Sequence, residues 1–160
     1  VDKGRVLSNY GGWQSHDIKP GENIQIDRLV KKLNEEMDYC AKQVGLKTPV
    51  IYNIWININP PGAYNNLHHH IDSVLSGVYY VDASSDQGNI EFHRGDNAEY
   101  HIPQEAIEKT TYYTSSKATY AAKTGALYIF PGFLKHQVQG NFTNRDRISV
   151  SFNYGVDNAS

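Results

Sequence analysis

A run of three consecutive histidines, His68, His69 and His70, is the part of this sequence best suited to chemistry. In an extended segment, side chains two residues apart share one face of the strand. His68 and His70 would therefore point together, as would His70 and Asp72, while His69 would point away. Either pair supplies two metal ligands from one strand edge. A third ligand could come from His136, which follows another hydrophobic segment.

Two ligands from one strand and one from a distant strand form a facial triad that leaves coordination positions open. With imidazole and carboxylate donors, this arrangement suits non-haem Fe(II). Two other interpretations fit the same residues: a zinc site with three histidines and a water molecule, and a polar turn that binds no metal. The residues that follow His136 separate these interpretations.

Arg147 lies 11 residues after His136 (147 minus 136) and begins a segment of alternating polarity. One face of this strand carries Arg147, Ser149 and Ser151, and the other carries Ile148, Val150 and Phe152. An inward-facing arginine can bind both oxygens of a carboxylate, and a hydroxyl two residues along the strand can add a hydrogen bond. Arg147 and Ser149 therefore predict a carboxylate-binding site.

The elements that must position these residues are one helix and several short strands. Hydrophobic residues at three- and four-residue steps predict a helix over 22–45. They are Ile26, Leu29, Val30, Leu33, Met37, Cys40 and Val44. After Pro49 the period changes to two, and short strands are predicted around 53–59, 67–71, 74–82, 89–94, 126–130, 134–139 and 147–153. This order predicts a mainly β fold, an antiparallel sandwich or jelly roll with the helix packed outside.

Two stretches give weaker signals. Residues 1–21 are Gly-rich and polar, and we expect irregular structure there. Residues 95–123 are rich in Tyr and Thr and predict a long loop over the site, a candidate lid or substrate-recognition surface. Within that loop, Thr110 to Thr114 could form a strand.

Length and composition exclude several classes of protein. The 160 residues predict one domain over 1–160, and a start at Val1 with Met37 as the only methionine suggests a trimmed N-terminal segment. The formal net charge of -2 argues against binding to the nucleic-acid backbone. A single cysteine excludes an internal disulfide framework and a Cys-rich metal site. No apolar run approaches the roughly 20 residues of a membrane span, and no signal-peptide pattern is visible, so the expected location is the cytoplasm.

Six ordered motifs carry a family resemblance over nearly the whole chain. They are Asn9-Tyr10-Gly11-Gly12-Trp13-Gln14-Ser15, Trp55-Ile56-Asn57, His68-x-His70, Ser76-Gly77-Val78-Tyr79-Tyr80-Val81, Phe130-Pro131-x-x-x-x-His136-x-Val138 and Arg147-Ile148-Ser149-x-Ser151-Phe152-Asn153. Together they resemble the small 2-oxoglutarate/Fe(II)-dependent oxygenase family of bacteria and marine phages. The resemblance implies a double-stranded β-helix, which is a cupin-like jelly roll.

The resemblance also implies roles for single residues. His136 is the distal iron ligand, and Arg147 is the anchor for the far carboxylate of 2-oxoglutarate, with Ser149 in support. Tyr80 is expected to hydrogen-bond the co-substrate, and Asn57 or Asn59 could do the same. For the metal, the resemblance favours His68, His70 and His136, and the set of His70, Asp72 and His136 is the alternative.

The resulting hypothesis is an Fe(II)- and 2-oxoglutarate-dependent dioxygenase. Such an enzyme uses dioxygen to hydroxylate a substrate, here unidentified, and releases succinate and CO2. Two alternatives remain: a cupin-like metalloenzyme that does not use 2-oxoglutarate, and a non-enzymatic jelly-roll binding module. The first would leave Arg147 without a role, and the second would not require the three histidines to converge.

Overall fold

Two five-stranded antiparallel sheets and one helix make up the fold in the computed structural model, which describes residues 2–96 and 102–156. The elements are β1 (Asn9–Tyr10), β2 (Trp13–Gln14), α1 (Ile24–Gln43), β3 (Val50–Asn59), β4 (Tyr64–His68), β5 (Leu75–Asp82), β6 (Asn89–His93), β7 (Lys117–Ala121), β8 (Leu127–Pro131), β9 (His136–Val138) and β10 (Arg147–Gly155). Sheet A has the strand order β1-β4-β9-β6-β7, and sheet B has the order β2-β3-β10-β5-β8. One 3-10 turn covers Gln104–Ala106.

The helix α1 covers the outer face of sheet B. Asn23 caps its start, because the Asn23 side chain accepts hydrogen bonds from the backbone N–H groups of Gln25 (2.9 Å) and Ile26 (3.2 Å). Its apolar stripe packs on outward-facing residues of the central strands. This cluster includes Ile26, Leu33, Met37, Ala41, Ile54, Val150, Phe152 and Tyr154. The predicted helix and its position outside the sandwich are therefore confirmed.

Strand β10 is the centre of sheet B and separates two environments. It pairs with β3 on one side and β5 on the other, so that Ser149 lies opposite both Asn57 and Tyr80. Val150 and Phe152 face the helix. The alternate residues of β10 face sheet A, as the sequence pattern predicts.

A second apolar cluster fills part of the space between the two sheets. It consists of Val78, Tyr80, Ile90, Phe92, Ala122 and Phe130. Val78, Tyr80, Ile90 and Phe130 of this cluster also line the cavity described below, together with polar residues of β3 and β10.

The predicted strand at Thr110 to Thr114 is wrong. This segment forms a turn, because the Thr111 N–H donates to Thr114 Oγ1 (2.8 Å) and the Thr114 hydroxyl donates to the Lys109 carbonyl (3.1 Å). The strand lies a few residues later, at β7, which pairs with β6. Residues 97–101 of the predicted loop lie outside the described residues.

Two smaller differences concern the first histidine strand and the N-terminal region. Strand β4 ends at His68, so His70 lies just beyond the strand instead of within it. Residues 2–21 are mostly irregular, as expected, but contain the two-residue strands β1 and β2, which are too short to produce a periodic signal. In the described parts of the chain, no helix combines the length and apolar character needed to cross a bilayer.

Candidate functional site

A cavity of about 560 Å³ lies between the two sheets. Sheet A contributes His68 and His136, which are direct partners in the pairing of β4 with β9. The inward face of sheet B contributes residues of β3, β5 and β10. They include Asn53, Trp55, Asn57, Asn59, Val78, Tyr80, Arg147, Ser149, Ser151 and Asn153.

His68, His70 and His136 converge in the wall of this cavity. One ligand nitrogen of each lies within 4.8 Å of those of the other two. The ring centroids of His68 and His136 are 4.3 Å apart, and that of His70 lies 5.0 Å from His136. The structure does not bring Asp72 into this group, because Asp72 is exposed in the turn after His70 with a φ of 63°. His69 is exposed at the cavity rim.

Each of the three imidazoles is oriented by a hydrogen bond at Nδ1. His68 Nδ1 donates to the Asn66 carbonyl (2.6 Å), and His136 Nδ1 donates to the Leu134 carbonyl (2.9 Å). His70 Nδ1 donates to Asn153 Oδ1 and lies 2.9 Å from Ser76 Oγ. A proton held at Nδ1 leaves Nε2 with a free lone pair, which is the form that binds a metal.

Burial keeps the histidines neutral. It lowers the pKa of His136 to about 3 and the pKa of His70 to about 4, and it also lowers the pKa of His68. The charge that each imidazolium would place near the others acts in the same direction. Three neutral imidazoles at neutral pH form a donor set that fits a divalent transition metal.

Arg147 begins strand β10 and is almost fully buried, at 1% exposure. Its Nη1 donates to the backbone carbonyls of Gln87 and Gln139 (3.1 Å for Gln139). Its Nη2 is buried and has no hydrogen-bond partner. Within residues 2–96 and 102–156, none of the ion pairs includes Arg147. A buried guanidinium without a counter-charge is costly, and an anion in the cavity would supply one.

Tyr80 provides a second unused donor near Arg147. Its hydroxyl is buried without a partner, and burial raises its pKa to about 12, so the hydroxyl keeps its proton. The positive charge of Arg147 acts on this pKa in the opposite direction. Arg147 and Tyr80 both line the cavity, and an unpaired N–H and an unpaired O–H donor fit the oxygens of a carboxylate.

The other predicted co-substrate residues also lie in the cavity wall. Ser149 is buried and lies beside Tyr80 in the sheet register. The backbone carbonyls of Gln87 and Gln139 hold the guanidinium of Arg147, and the supporting role of Ser149 stays a prediction. Asn57 already uses both ends of its amide: it accepts from Trp55 Nε1 (3.2 Å) and donates to Ser151 Oγ (2.9 Å).

Sequence reasoning missed two supports of the site. Asn153 shares the face of Arg147, Ser149 and Ser151, so the alternation of β10 could have identified it as a cavity residue. Gly88 could not be found in this way. Its φ is +89°, and a Cβ at this position would lie 2.9 Å from Arg147 Nη1 and 2.6 Å from the Gln139 carbonyl oxygen.

Comparison with solved structures places this cavity in a known fold. A prolyl-4-hydroxylase from Pseudomonas putida aligns with a TM-score of 0.64 and 16% identity, over 92% of this chain and 73% of that one. The viral collagen prolyl hydroxylase of Paramecium bursaria Chlorella virus-1 aligns with a TM-score of 0.60 and 17% identity, over 91% of this chain and 80% of that one. A 2OG-Fe(II) oxygenase family oxidoreductase from Burkholderia pseudomallei aligns with a TM-score of 0.60 and 16% identity, over 84% of this chain and 58% of that one. The chain therefore spans less than two thirds of the length of that protein. At these identities the likeness concerns the fold alone, and it confirms the predicted jelly roll.

The sequence itself carries the family assignment. No curated protein matches the sequence. Residues 53–153, more than half of the chain, match the model of a family described as "Putative 2OG-Fe(II) oxygenase". This range runs from Asn53 in β3 to Asn153 in β10 and contains the three converging histidines, Tyr80 and Arg147. The chain therefore belongs to this family of 2-oxoglutarate- and Fe(II)-dependent oxygenases.

Proposed function

We propose that this protein is a hydroxylase, which converts a substrate C–H bond to C–OH while 2-oxoglutarate and dioxygen become succinate and CO2. One observation carries the proposal: a cluster of three neutral histidines shares its cavity with a buried arginine that lacks a counter-charge. A metal fits the first feature, and a dicarboxylic co-substrate fits the second. The atoms balance, because one oxygen of O2 enters the product and the other enters succinate.

We assign the metal to His68, His70 and His136. Their Nδ1 atoms are engaged, so each ring has Nε2 available as the ligand atom. Asp72 is exposed outside the group, which supports the all-histidine set over the set that includes Asp72. Fe(II) bound there would supply the activation of dioxygen, together with the bound keto acid.

We assign the far carboxylate of 2-oxoglutarate to Arg147 and Tyr80. Arg147 Nη2 and the Tyr80 hydroxyl would each donate to one carboxylate oxygen. The carbonyls of Gln87 and Gln139 hold the guanidinium in position for this contact. Ser149 lines the same cavity and would add a hydroxyl contact.

Aromatic residues shield the site from water. The ring of Phe130 lies 4.6 Å from that of His136, and the ring of Phe92 lies 5.9 Å from it. Both phenylalanines belong to the apolar cluster between the two sheets. A dry wall beside the metal ligands strengthens the electrostatic interactions in the cavity and limits side reactions with water.

A turnover assay tests the proposal. The protein is incubated with Fe(II), dioxygen and 2-oxoglutarate labelled at C1, and released CO2 and succinate are measured without added substrate. We expect slow uncoupled turnover in the wild type and a large loss in Arg147→Ala. No turnover in the wild type, or equal turnover in Arg147→Ala, would contradict the proposal.

The competing functions lack support from the site. A metalloenzyme without 2-oxoglutarate leaves the Arg147 guanidinium and the Tyr80 hydroxyl without a partner. A binding module without a metal gives no reason for three histidines to meet in one cavity. A cytoplasmic location, a bacterial or phage source and the lack of a nucleic-acid partner remain predictions.

A further inference from the structure

We propose that Arg5 and Trp55 form a second anion subsite, at which the primary substrate is held by a carboxylate or phosphate group. The role of this subsite in substrate binding rests on the proposed function. The subsite itself stands on three observations: the charges that line the cavity, the contacts of Arg5, and its separation from Arg147.

The first observation is the absence of acidic groups from the cavity wall. Among the described residues that line the cavity, two are arginines and four are histidines, and none is Asp or Glu. Histidine binds a metal in its neutral form, so the proposed ligands leave both charges of a divalent ion uncompensated. Arg147 adds one more positive charge, and 2-oxoglutarate brings two negative charges. A net positive charge therefore remains in a partly dry cavity, which favours an anionic second ligand.

The second observation is that Arg5 is held in place with a donor unused. Its guanidinium lies over the ring of Trp55, 5.6 Å from the centroid. Its Nη2 pairs with Asp17 Oδ1 at 2.8 Å, and its backbone N–H donates to the Gln14 carbonyl (2.7 Å). Its Nε is buried and has no acceptor. A carboxylate or phosphate oxygen would supply that acceptor, and the fixed guanidinium plane would lose little freedom on binding it.

The third observation is the distance between the two arginine subsites along sheet B. Arg147 lies opposite Asn59, and Trp55 lies opposite Ser151, four residues further along β10. Four residues of a strand span about 14 Å, which is more than a five-carbon diacid can cover. We therefore assign the two arginines to separate subsites.

The position of Trp55 links this subsite to the metal ligands. Its indole N–H donates to Asn57 Oδ1, which fixes the ring, and the ring centroid lies 6.2 Å from that of His70. A substrate anchored at Arg5 would therefore place its neighbouring atoms beside the histidine cluster. We infer a primary substrate with an anionic group close to the C–H bond that reacts.

Binding of small aromatic probes tests the subsite. Benzoate and phenyl phosphate are titrated into the full chain loaded with Zn(II) and 2-oxoglutarate, with the neutral isostere benzamide as reference. The readout is the NMR signal of the Trp55 indole N–H, distinguished from Trp13, the other tryptophan, by the variant Trp13→Phe. We expect at least one anion to bind about tenfold more tightly than benzamide. The preferred anion shows whether the site takes carboxylate or phosphate.

Two variants should act in opposite directions. Arg5→Gln should reduce the affinity for the anion to that for benzamide. Asp17→Asn should raise the affinity for the anion several-fold, because it removes the carboxylate that now pairs with Arg5. A misfolded protein would not gain affinity, so the second variant keeps the test valid if the first one unfolds. Arg28→Gln, an exposed arginine on α1, is the matched control and should change nothing.

Equal binding of benzoate, phenyl phosphate and benzamide would overturn the subsite, as would unchanged anion binding in both Arg5→Gln and Asp17→Asn. The same titrations are run on metal-free Arg147→Ala protein, in which the first anion site is removed. If 2-oxoglutarate does not bind the Zn(II) protein but benzoate binding still depends on Arg5, the proposed function fails and the subsite stands. If 2-oxoglutarate binds through Arg147 but the affinity for benzoate and phenyl phosphate does not depend on Arg5, the subsite alone fails.

Discussion

At the histidine end of the cavity every Nδ1 has a hydrogen-bond partner inside the protein, whereas at the arginine end two buried donors have none. The partners of the histidines are two backbone carbonyls and Asn153. The unpaired donors are Arg147 Nη2 and the Tyr80 hydroxyl. The fold thus prepares the histidine end before any metal binds, because neutral rings are easily buried. The arginine end is complete only with an anion, because a buried guanidinium needs a counter-charge.

The largest effect should come from removal of a metal ligand. His136→Ala should lower the affinity for Fe(II) by more than the roughly 100-fold that loss of a supporting hydrogen bond can cost. Asp72→Ala is the control and should retain full metal content, because Asp72 is exposed outside the cluster. The measurement is bound metal per chain after equilibrium dialysis. Loss of metal in Asp72→Ala with retention in His68→Ala would restore the alternative ligand set.

The next largest effect should be on 2-oxoglutarate affinity, after a change at the arginine end of the cavity. Arg147→Ala should weaken binding of 2-oxoglutarate to the Zn(II) protein by roughly 30-fold or more, since loss of one partner of a buried charge pair costs about 2–5 kcal/mol. Metal affinity should stay unchanged. Isothermal titration calorimetry measures both. The matched control is Arg145→Ala, two residues earlier and exposed, for which any similar loss would argue against a specific contact.

A smaller effect on metal affinity should distinguish His70, which is oriented by a side chain, from His68, which is oriented by a backbone carbonyl. Asn153→Ala removes the acceptor of His70 Nδ1 and should lower metal affinity by about 10- to 100-fold. Asn153→Asp keeps an acceptor and should restore most of it. Asn66→Ala is the contrast, because His68 uses the backbone carbonyl of Asn66, which survives the substitution. The absorption spectrum of the Co(II) protein reports the change in ligand geometry. Equal effects of Asn66→Ala and Asn153→Ala would refute this distinction.

Tyr80→Phe should have modest effects of opposite sign. It removes a donor to the carboxylate, so 2-oxoglutarate affinity should fall by about 2- to 10-fold. It also removes a buried hydroxyl without a partner, so the ligand-free protein should gain stability. Tyr128→Phe is the control, because the Tyr128 hydroxyl donates to the Ala121 carbonyl (2.8 Å). That variant should lose stability and keep its 2-oxoglutarate affinity. Urea unfolding and titration calorimetry measure the two quantities, and a stability loss in Tyr80→Phe would contradict the assignment.

The smallest effect is a pH dependence of the metal-free protein. The pKa values of His70 and His136, about 4 and 3, lie below the value of about 6.5 in the unfolded chain. As pH falls from 7.5 to 6.0, the unfolded chain gains protons that the folded protein does not. The free energy of unfolding should therefore fall by about 0.8 kcal/mol for each histidine. Urea unfolding at both pH values checks this, and His70→Gln should reduce the change in unfolding free energy by about 0.8 kcal/mol, because His68 and His136 remain. A rise in stability at pH 6.0 would show that the imidazoles are not buried as neutral rings.

Local patterns account for the parts of the fold that the sequence predicted well. The helix over 22–45 is observed at Ile24–Gln43, because its apolar stripe and the Asn23 cap are properties of neighbouring residues. Strand β10 also follows its alternation of polar and apolar residues. The prediction of a strand at Thr110 to Thr114 is wrong, because threonine hydroxyls form hydrogen bonds with the nearby backbone that compete with strand pairing.

The sequence by itself determined which face of β10 lines the cavity and which family the chain belongs to. Periodicity sorts Arg147, Ser149 and Ser151 from Val150 and Phe152, and the spacing of the motifs identifies the family. Only the tertiary structure decided what each of these residues contacts, because their partners lie far apart along the chain.

The choice between His68 and Asp72 as a member of the cluster depended on where β4 ends and on the turn that follows. The partners of Arg147 come from Gln87 and Gln139, on other segments, and Arg5 meets Trp55 only because residues near the N-terminus return to sheet B. Such long-range contacts leave no local periodic signal, since the sequence separation of two residues says nothing of their distance once strands pair. The residue types set the chemistry that is available, and the packing of the two sheets decided which of them meet.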